Sequence, residues 1–186
     1  MAVVVAAACY ITATQLWPPG YDWNHDYLST LLRAENGPSR FTAIAGLLFF
    51  CAGIGMVFAR LARTSSSSLN ASLIRIGGVG SMVYAALTFT PMHDLVMKIS
   101  VAFFVFAILA VLRLVYCQRA FGFLVTGCLC FVLLAASVTM YYGDYYVSAL
   151  PWAQRILFTS FGVWLVALDL RWQTRCYVTN PRQSRS

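Results

Sequence analysis

The sequence predicts an all-α integral membrane protein, a six-transmembrane-helix bundle with a short interfacial helix in the first outer loop, and three observations carry that prediction. The chain of 186 residues is 60% hydrophobic and 10% charged, whereas a soluble domain carries about 25% charged residues. Apolar runs recur at about residues 2–17, 41–62, 74–91, 95–116, 121–142 and 155–172. Each is of the order of the ~20 residues a helix needs to cross ~30 Å of hydrocarbon. The 13 Lys and Arg residues divide unevenly between the two sets of run ends. No soluble domain fits between the runs, so residues 1–186 are expected to form a single membrane domain.

The first run, "MAVVVAAACYITATQLW", has no Lys or Arg ahead of its apolar core, unlike a cleaved signal peptide, and is expected to persist as a span. Trp17 sits at its outer end, in the headgroup layer, and Pro18-Pro19-Gly20 stops the helix. In the loop that follows, Asp26 is a good N-cap, and Leu28, Leu31 and Leu32 share one face. Asn36-Gly37-Pro38 then reads as a stop. Such a helix would lie in the headgroup layer or fold down over the bundle mouth.

The second and third spans are joined by the polar stretch "TSSSSLNASL", a flexible loop whose Asn70-Ala71-Ser72 sequon is expected to stay unused on the inner side. Gly77, Ser81 and Ala85 recur every four residues on the third span, as do Gly55 and Ala59 on the second. Small residues at that spacing are expected as packing seams, because lipid tails give helices no hydrophobic drive to associate. In the tight connection "TFTPMHDLVMK", Thr90 can cap, Pro91 suits the first helical position and Asp94 the first turn. Asp94 and Lys98, four apart, are expected to pair. Before the last span, "MYYGDYYVSALPWAQR" supplies tyrosines, Asp144 and Trp152 for an interfacial aromatic belt. Residues 173–186 form a basic tail.

Six spans place both termini on one side. That side carries Arg60, Arg63, Arg75, Arg113, Arg119, Arg171, Arg175, Arg182 and Arg185, with Asp169 as its acid. Asp169 and Arg113 are the deepest ionisable groups and would pair if their helices met. The other side carries Arg33, Arg40, Lys98 and Arg155. Nine basic residues against four put the termini in the cytoplasm by the positive-inside rule. The same distribution, single arginines at run ends, excludes a nucleic-acid surface despite a net charge of +7.

The six cysteines lack the spacing of a disulfide or zinc framework and read as reduced packing residues. No metal or other cofactor is expected. The chemistry-bearing residues gather on the outer side: His25, Asp26, Ser29, His93, Asp94, Lys98, Asp144 and Tyr145. Two histidines beside carboxylates raise a metal site, and Ser29 with a histidine raises a nucleophile and base. The chain has no HxxxH or HExxH spacing and no third histidine.

At "YDWNHDYLSTLLRAENGPSR" followed by an apolar run, the chain resembles the prokaryotic membrane family catalogued as domain of unknown function 998. The matching residues are Leu28, Ser29 and Leu31, then Gly37 and Pro38, with Pro91 and Asp94 at the outer end of the third span. The resemblance implies six spans with an outer polar segment after the first. The histidine that the family often carries in its fourth span is replaced here by Lys98 and Ser100. More distantly, the chain is similar to the damage-regulated autophagy modulator family, also six-span proteins with a serine in the first outer loop.

The expected function is non-catalytic: a multi-pass inner-membrane protein whose polar and aromatic outer face binds membrane lipids, an amphiphile, or another membrane protein or copy of itself. A membrane-embedded, metal-dependent lipid hydrolase and a small transporter or transporter subunit are the alternatives.

Overall fold

The computed structural model describes residues 1–18, 20–33, 37–143 and 146–179, and the side chains of all but Val147 and 174–179 among them. The described chain is helical throughout: α1 Ala2–Gln15, α2 Leu28–Leu32, α3 Gly37–Arg63, α4 Ser68–Ala86, α5 His93–Cys117, α6 Phe121–Gly143 and α7 Leu150–Thr179, with a 3-10 turn at Val147–Ala149 before α7. Four helices are long and apolar enough to cross a membrane: Gly37–Arg63, His93–Cys117, Phe121–Gly143 and Leu150–Gln173. The chain is therefore an all-α membrane protein. Ala2–Gln15 is apolar but short. At 1.5 Å per residue its 14 residues reach about 21 Å, less than a hydrocarbon core. Ser68–Ala86 is long enough in residues but carries Asn70 and Arg75.

The helices pack in chain order. α4 lies between α3 and α5, α6 between α5 and α7, and α3 also meets α7, while α1 lies along α3. Where three of these helices meet, Phe58 of α3, Phe104 of α5, and Phe161 and Trp164 of α7 touch edge to face, with centroids 4.9 to 6.1 Å apart. Small residues set the close approaches. A Cβ on Gly78 would lie 2.2 Å from the Phe58 ring, and one on Gly127 would lie 2.4 Å from Trp164, whose indole N–H donates to the Phe123 carbonyl. Gly77 presses on α5 as its spacing predicts, with Ala107 Cβ 3.2 Å from the Cβ it lacks, and the Ser81 carbonyl accepts from Ser100. Gly55 makes ordinary contact with Met82 of α4, while the closest glycine approach of α3 is Gly53, whose missing Cβ would lie 2.8 Å from Ala2 Cβ of α1.

Several local expectations are corrected. Pro38 and Gly37 open α3 rather than close α2, consistent with the tolerance of proline in a first helical turn; Asn36 lies outside the described residues. The N-cap of α2 is Tyr27, without a side-chain bond, because the Asp26 carboxylate instead accepts the Asp22 N–H at 2.9 Å. α2 folds down onto the bundle: Leu31 and Leu32 are buried in a cluster with Ala13, Tyr21 and Ala43. Ser39, fully buried, donates to the Ala13 carbonyl at 2.8 Å and so satisfies an orphan acceptor at the end of α1. Thr90 and Pro91 precede α5, which starts at His93 after Met92.

At the opposite end of the bundle, Asp169 pairs with Arg60 and not with Arg113. The Arg60 Nε and Nη2 reach both carboxylate oxygens at 2.7 to 3.0 Å, and Gln173 adds a bond at 2.9 Å. Asp169 is 4% exposed. Five cysteines are free thiols; Cys51 and Cys130 are buried as packing residues, but Cys117 and Cys128 are exposed, and the Cys176 side chain lies outside the described ones.

Candidate functional site at the loop end

The first loop is tied by its own polar groups. The Asp22 carboxylate accepts the Asn24 N–H at 2.8 Å and meets His25 Nδ1 at 2.7 Å, and the Asp22 carbonyl accepts the Asp26 N–H at 2.8 Å. The hydrogen bond from His25, and then that from Asn24, hold the Asp22 carboxyl below the usual carboxylate range. The turn stands on α7 through Arg155. Its Nη1 donates to the Trp23 carbonyl, and its Nη2 donates to the Asp26 carbonyl at 2.7 Å and to Tyr21 Oη at 3.0 Å. The rings of Tyr21, Trp23 and Trp152 lie 5.1 to 5.7 Å from the guanidinium, within cation–π range. Burial pushes the Tyr21 hydroxyl up, against the lowering effect of Arg155.

The two histidines serve different neighbours. His25 is exposed and bonded to Asp22, whereas His93 is buried and its Nδ1 lies 2.6 Å from the Thr88 carbonyl. A carbonyl only accepts, so His93 carries its proton on Nδ1. That bond closes the turn between α4 and α5. Among the described residues no group of three His, Cys, Asp or Glu side chains stands where it could hold a metal.

Asp94, in the first turn of α5, does not pair with Lys98. It faces Arg33 Nη2 at 3.9 Å, while Lys98 Nζ lies 5.8 Å from the Tyr142 ring. The positive start of α5 and the Arg33 cation both draw the carboxylate away from the lysine. Ser29 is half-buried in α2 and makes no side-chain hydrogen bond among the described residues. Asp144 and Tyr145 lie outside the described residues.

Arg33 and Asp94 belong to an open cleft of about 440 Å³ between the end of α2, the start of α3 and the α4–α5 turn. Its apolar walls are Leu32, Phe89 and Pro91; its polar groups are Arg33, Arg40, Thr90 and Asp94. Among the described residues Arg40 makes no hydrogen bond or ion pair. The cleft thus joins two cations, one acid and an apolar wall, a set suited to holding an ionic group attached to an apolar body.

Of the candidate site residues among the described ones, the cleft takes in Asp94 alone. Arg33 and Arg40 were counted only for topology. The overlooked signal is Arg40 in the first turn of a helix, where the helix dipole disfavours a cation. Arg155 could have been marked by the tyrosine and tryptophans of "YDW" and "PWAQR". No family model, no curated protein and no solved structure matches the chain.

Proposed function

We propose that the chain is a non-catalytic, multi-pass inner-membrane protein that holds the phosphate-bearing headgroup of a membrane lipid or amphiphile at its outer face. The observation that carries this reading is the cleft, in which Arg33 and Arg40 stand beside the apolar surface of Leu32, Phe89 and Pro91. Guanidinium forks match phosphate oxygens. In this reading α1 and α4 also cross, giving the six-span layout of the families that the sequence resembles. The termini then lie in the cytoplasm, as the nine-to-four division of basic residues favours. The Arg155 clamp ties the first loop to α7 through the Trp23 and Asp26 carbonyls.

The test is phosphorus per protein after detergent purification and washing. Each lost charge-assisted contact weakens binding about tenfold, so the Arg33→Gln, Arg40→Gln double variant is expected to lose the phospholipid that wild type retains. Equal retention by a folded double variant would remove the headgroup reading.

A further inference from the structure

The geometry points to a ligand of two charges in the cleft: a phosphodiester held by Arg33 and Arg40, joined to a primary ammonium held by Asp94, as in an ethanolamine phospholipid headgroup. This inference rests on the headgroup reading and names its ligand class. Its first support is the looseness of the Arg33–Asp94 pair. At 3.9 Å, with side chains 59% and 70% exposed, it is a single long contact. The same residue types in Arg60–Asp169 close to 2.7 Å with two oxygens engaged. The cleft pair therefore keeps donors and acceptors for a third party.

The second support is Arg40, a cation without a partner among the described residues, in the first turn of α3. An anion there answers both the guanidinium and the positive helix end. The third is charge balance. Among the described lining residues, two arginines and one aspartate sum to +1. A purely anionic headgroup would pair the arginines but place its charge against Asp94. A headgroup with one phosphodiester and one ammonium gives Asp94 a hydrogen-bonding cation of its own. A trimethylated ammonium has no N–H to donate, so an ethanolamine group is preferred to choline. Leu32, Phe89 and Pro91 then face the glycerol and upper acyl carbons. The cleft volume of about 440 Å³ lies in the range of small-molecule sites.

The experiment uses the full chain in detergent, loaded with ethanolamine, glycerol or choline phospholipid of identical acyl chains and read by native mass spectrometry. Wild type is expected to retain the ethanolamine lipid about tenfold over the other two, the worth of one charge-assisted hydrogen bond. Asp94→Asn, at an exposed position, is expected to fold as wild type and to lose that preference in favour of the glycerol lipid. Soluble glycerophosphoethanolamine, added as competitor, separates the sources. Displacement of the lipid at equal concentration would assign the site to the free ester, and persistence of the lipid would assign it to the bilayer. Retention of the ethanolamine preference by Asp94→Asn, or a wild-type preference for the glycerol lipid, would overturn the ammonium assignment and leave the headgroup reading standing. If no lipid were retained by wild type, both would fall.

Discussion

Asp169 and Arg60 form the most constrained ion pair of the described molecule, and their unequal burial sets an asymmetry that mutation can read. Asp169 is 4% exposed, while the Arg60 side chain is 45% uncovered by protein. Arg60→Met leaves a buried carboxylate with only Gln173 as donor, a change expected to cost about 3–5 kcal/mol. Asp169→Asn frees an arginine that can turn toward water or headgroups, so the expected loss is nearer ~1–2 kcal/mol, that of a charge-assisted hydrogen bond. Unfolding in detergent against denaturant checks the order of the two. Equal losses would mean that Asp169 is hydrated in the native protein. The sequence marks Asp169 and Arg113 as the deepest ionisable groups and so points to Arg113 as the partner, a place that Arg60 takes instead. Depth is a property of one run, whereas partnership depends on which helices are neighbours. The contact of α3 with α7 settles it. The same limit hid the cleft, because Arg33, Arg40 and Asp94 come from three elements.

At the scale of the element, the runs were legible because each is a continuous apolar stretch, and their ends were less so because the ends are decided by local bonds. At the α5–α6 connection the expected runs 95–116 and 121–142 lie within two residues of the helices, but the bonds that make the stop are not written in the sequence. Gln118 caps α5, the Arg119 N–H bonds to the Tyr116 carbonyl at 2.9 Å, and the Ala120 N–H bonds to the Val115 carbonyl at 3.1 Å. These are the two bonds of a Schellman stop, and Arg119 occupies its left-handed position with φ at 53°. Glycine is the residue that such a stop prefers, so no stop signal stands in the sequence there. Arg119→Gly is expected to stabilise the protein by about 1 kcal/mol, the strain that a Cβ adds in that conformation. Arg119→Ala removes the same charge but keeps the Cβ, and should show no such gain. Thermal unfolding of both variants separates backbone strain from the loss of the guanidinium; equal stability of the two would refute the strain argument. α2 is a second case. Its leucine spacing leaves open whether the helix lies in the headgroup layer or folds down over the bundle mouth, and the burial of Leu31 and Leu32 with Ala13, Tyr21 and Ala43 decides for the second.

For the whole molecule, topology turns on α1 and α4, and the arrangement of the chain makes the expected crossing specific. α4 carries Arg75 and Asn70 near its start, and Asn70 is buried where its amide donates to the Ala110 carbonyl at 3.2 Å. That bond turns the Asn70 amide nitrogen toward α5 and away from lipid, which helps a less apolar helix to cross, while its buried Oδ1 has no partner among the described residues. α4 is also flanked on both sides by the long helices α3 and α5. If α4 crosses, residues 64–67 and 87–92 lie on opposite sides of the membrane. In a background with the native cysteines other than Cys117 replaced, Asn24→Cys and Met92→Cys are expected to react with an impermeant maleimide on intact cells. Cys117 and Ser66→Cys are expected to react only after lysis. Met92 and Cys117 are both exposed at the ends of α5, so differences in labelling report side rather than burial. Labelling of Met92→Cys only after lysis would mean that α4 turns back, and the nine-to-four charge division would then have to be recounted over fewer spans. Asn24 bears on the headgroup reading in the same way, because it sits in the loop that Arg155 holds over the bundle. A cleft on the cytoplasmic side would meet the lipids of the inner leaflet, and the ligand chemistry would have to be sought there.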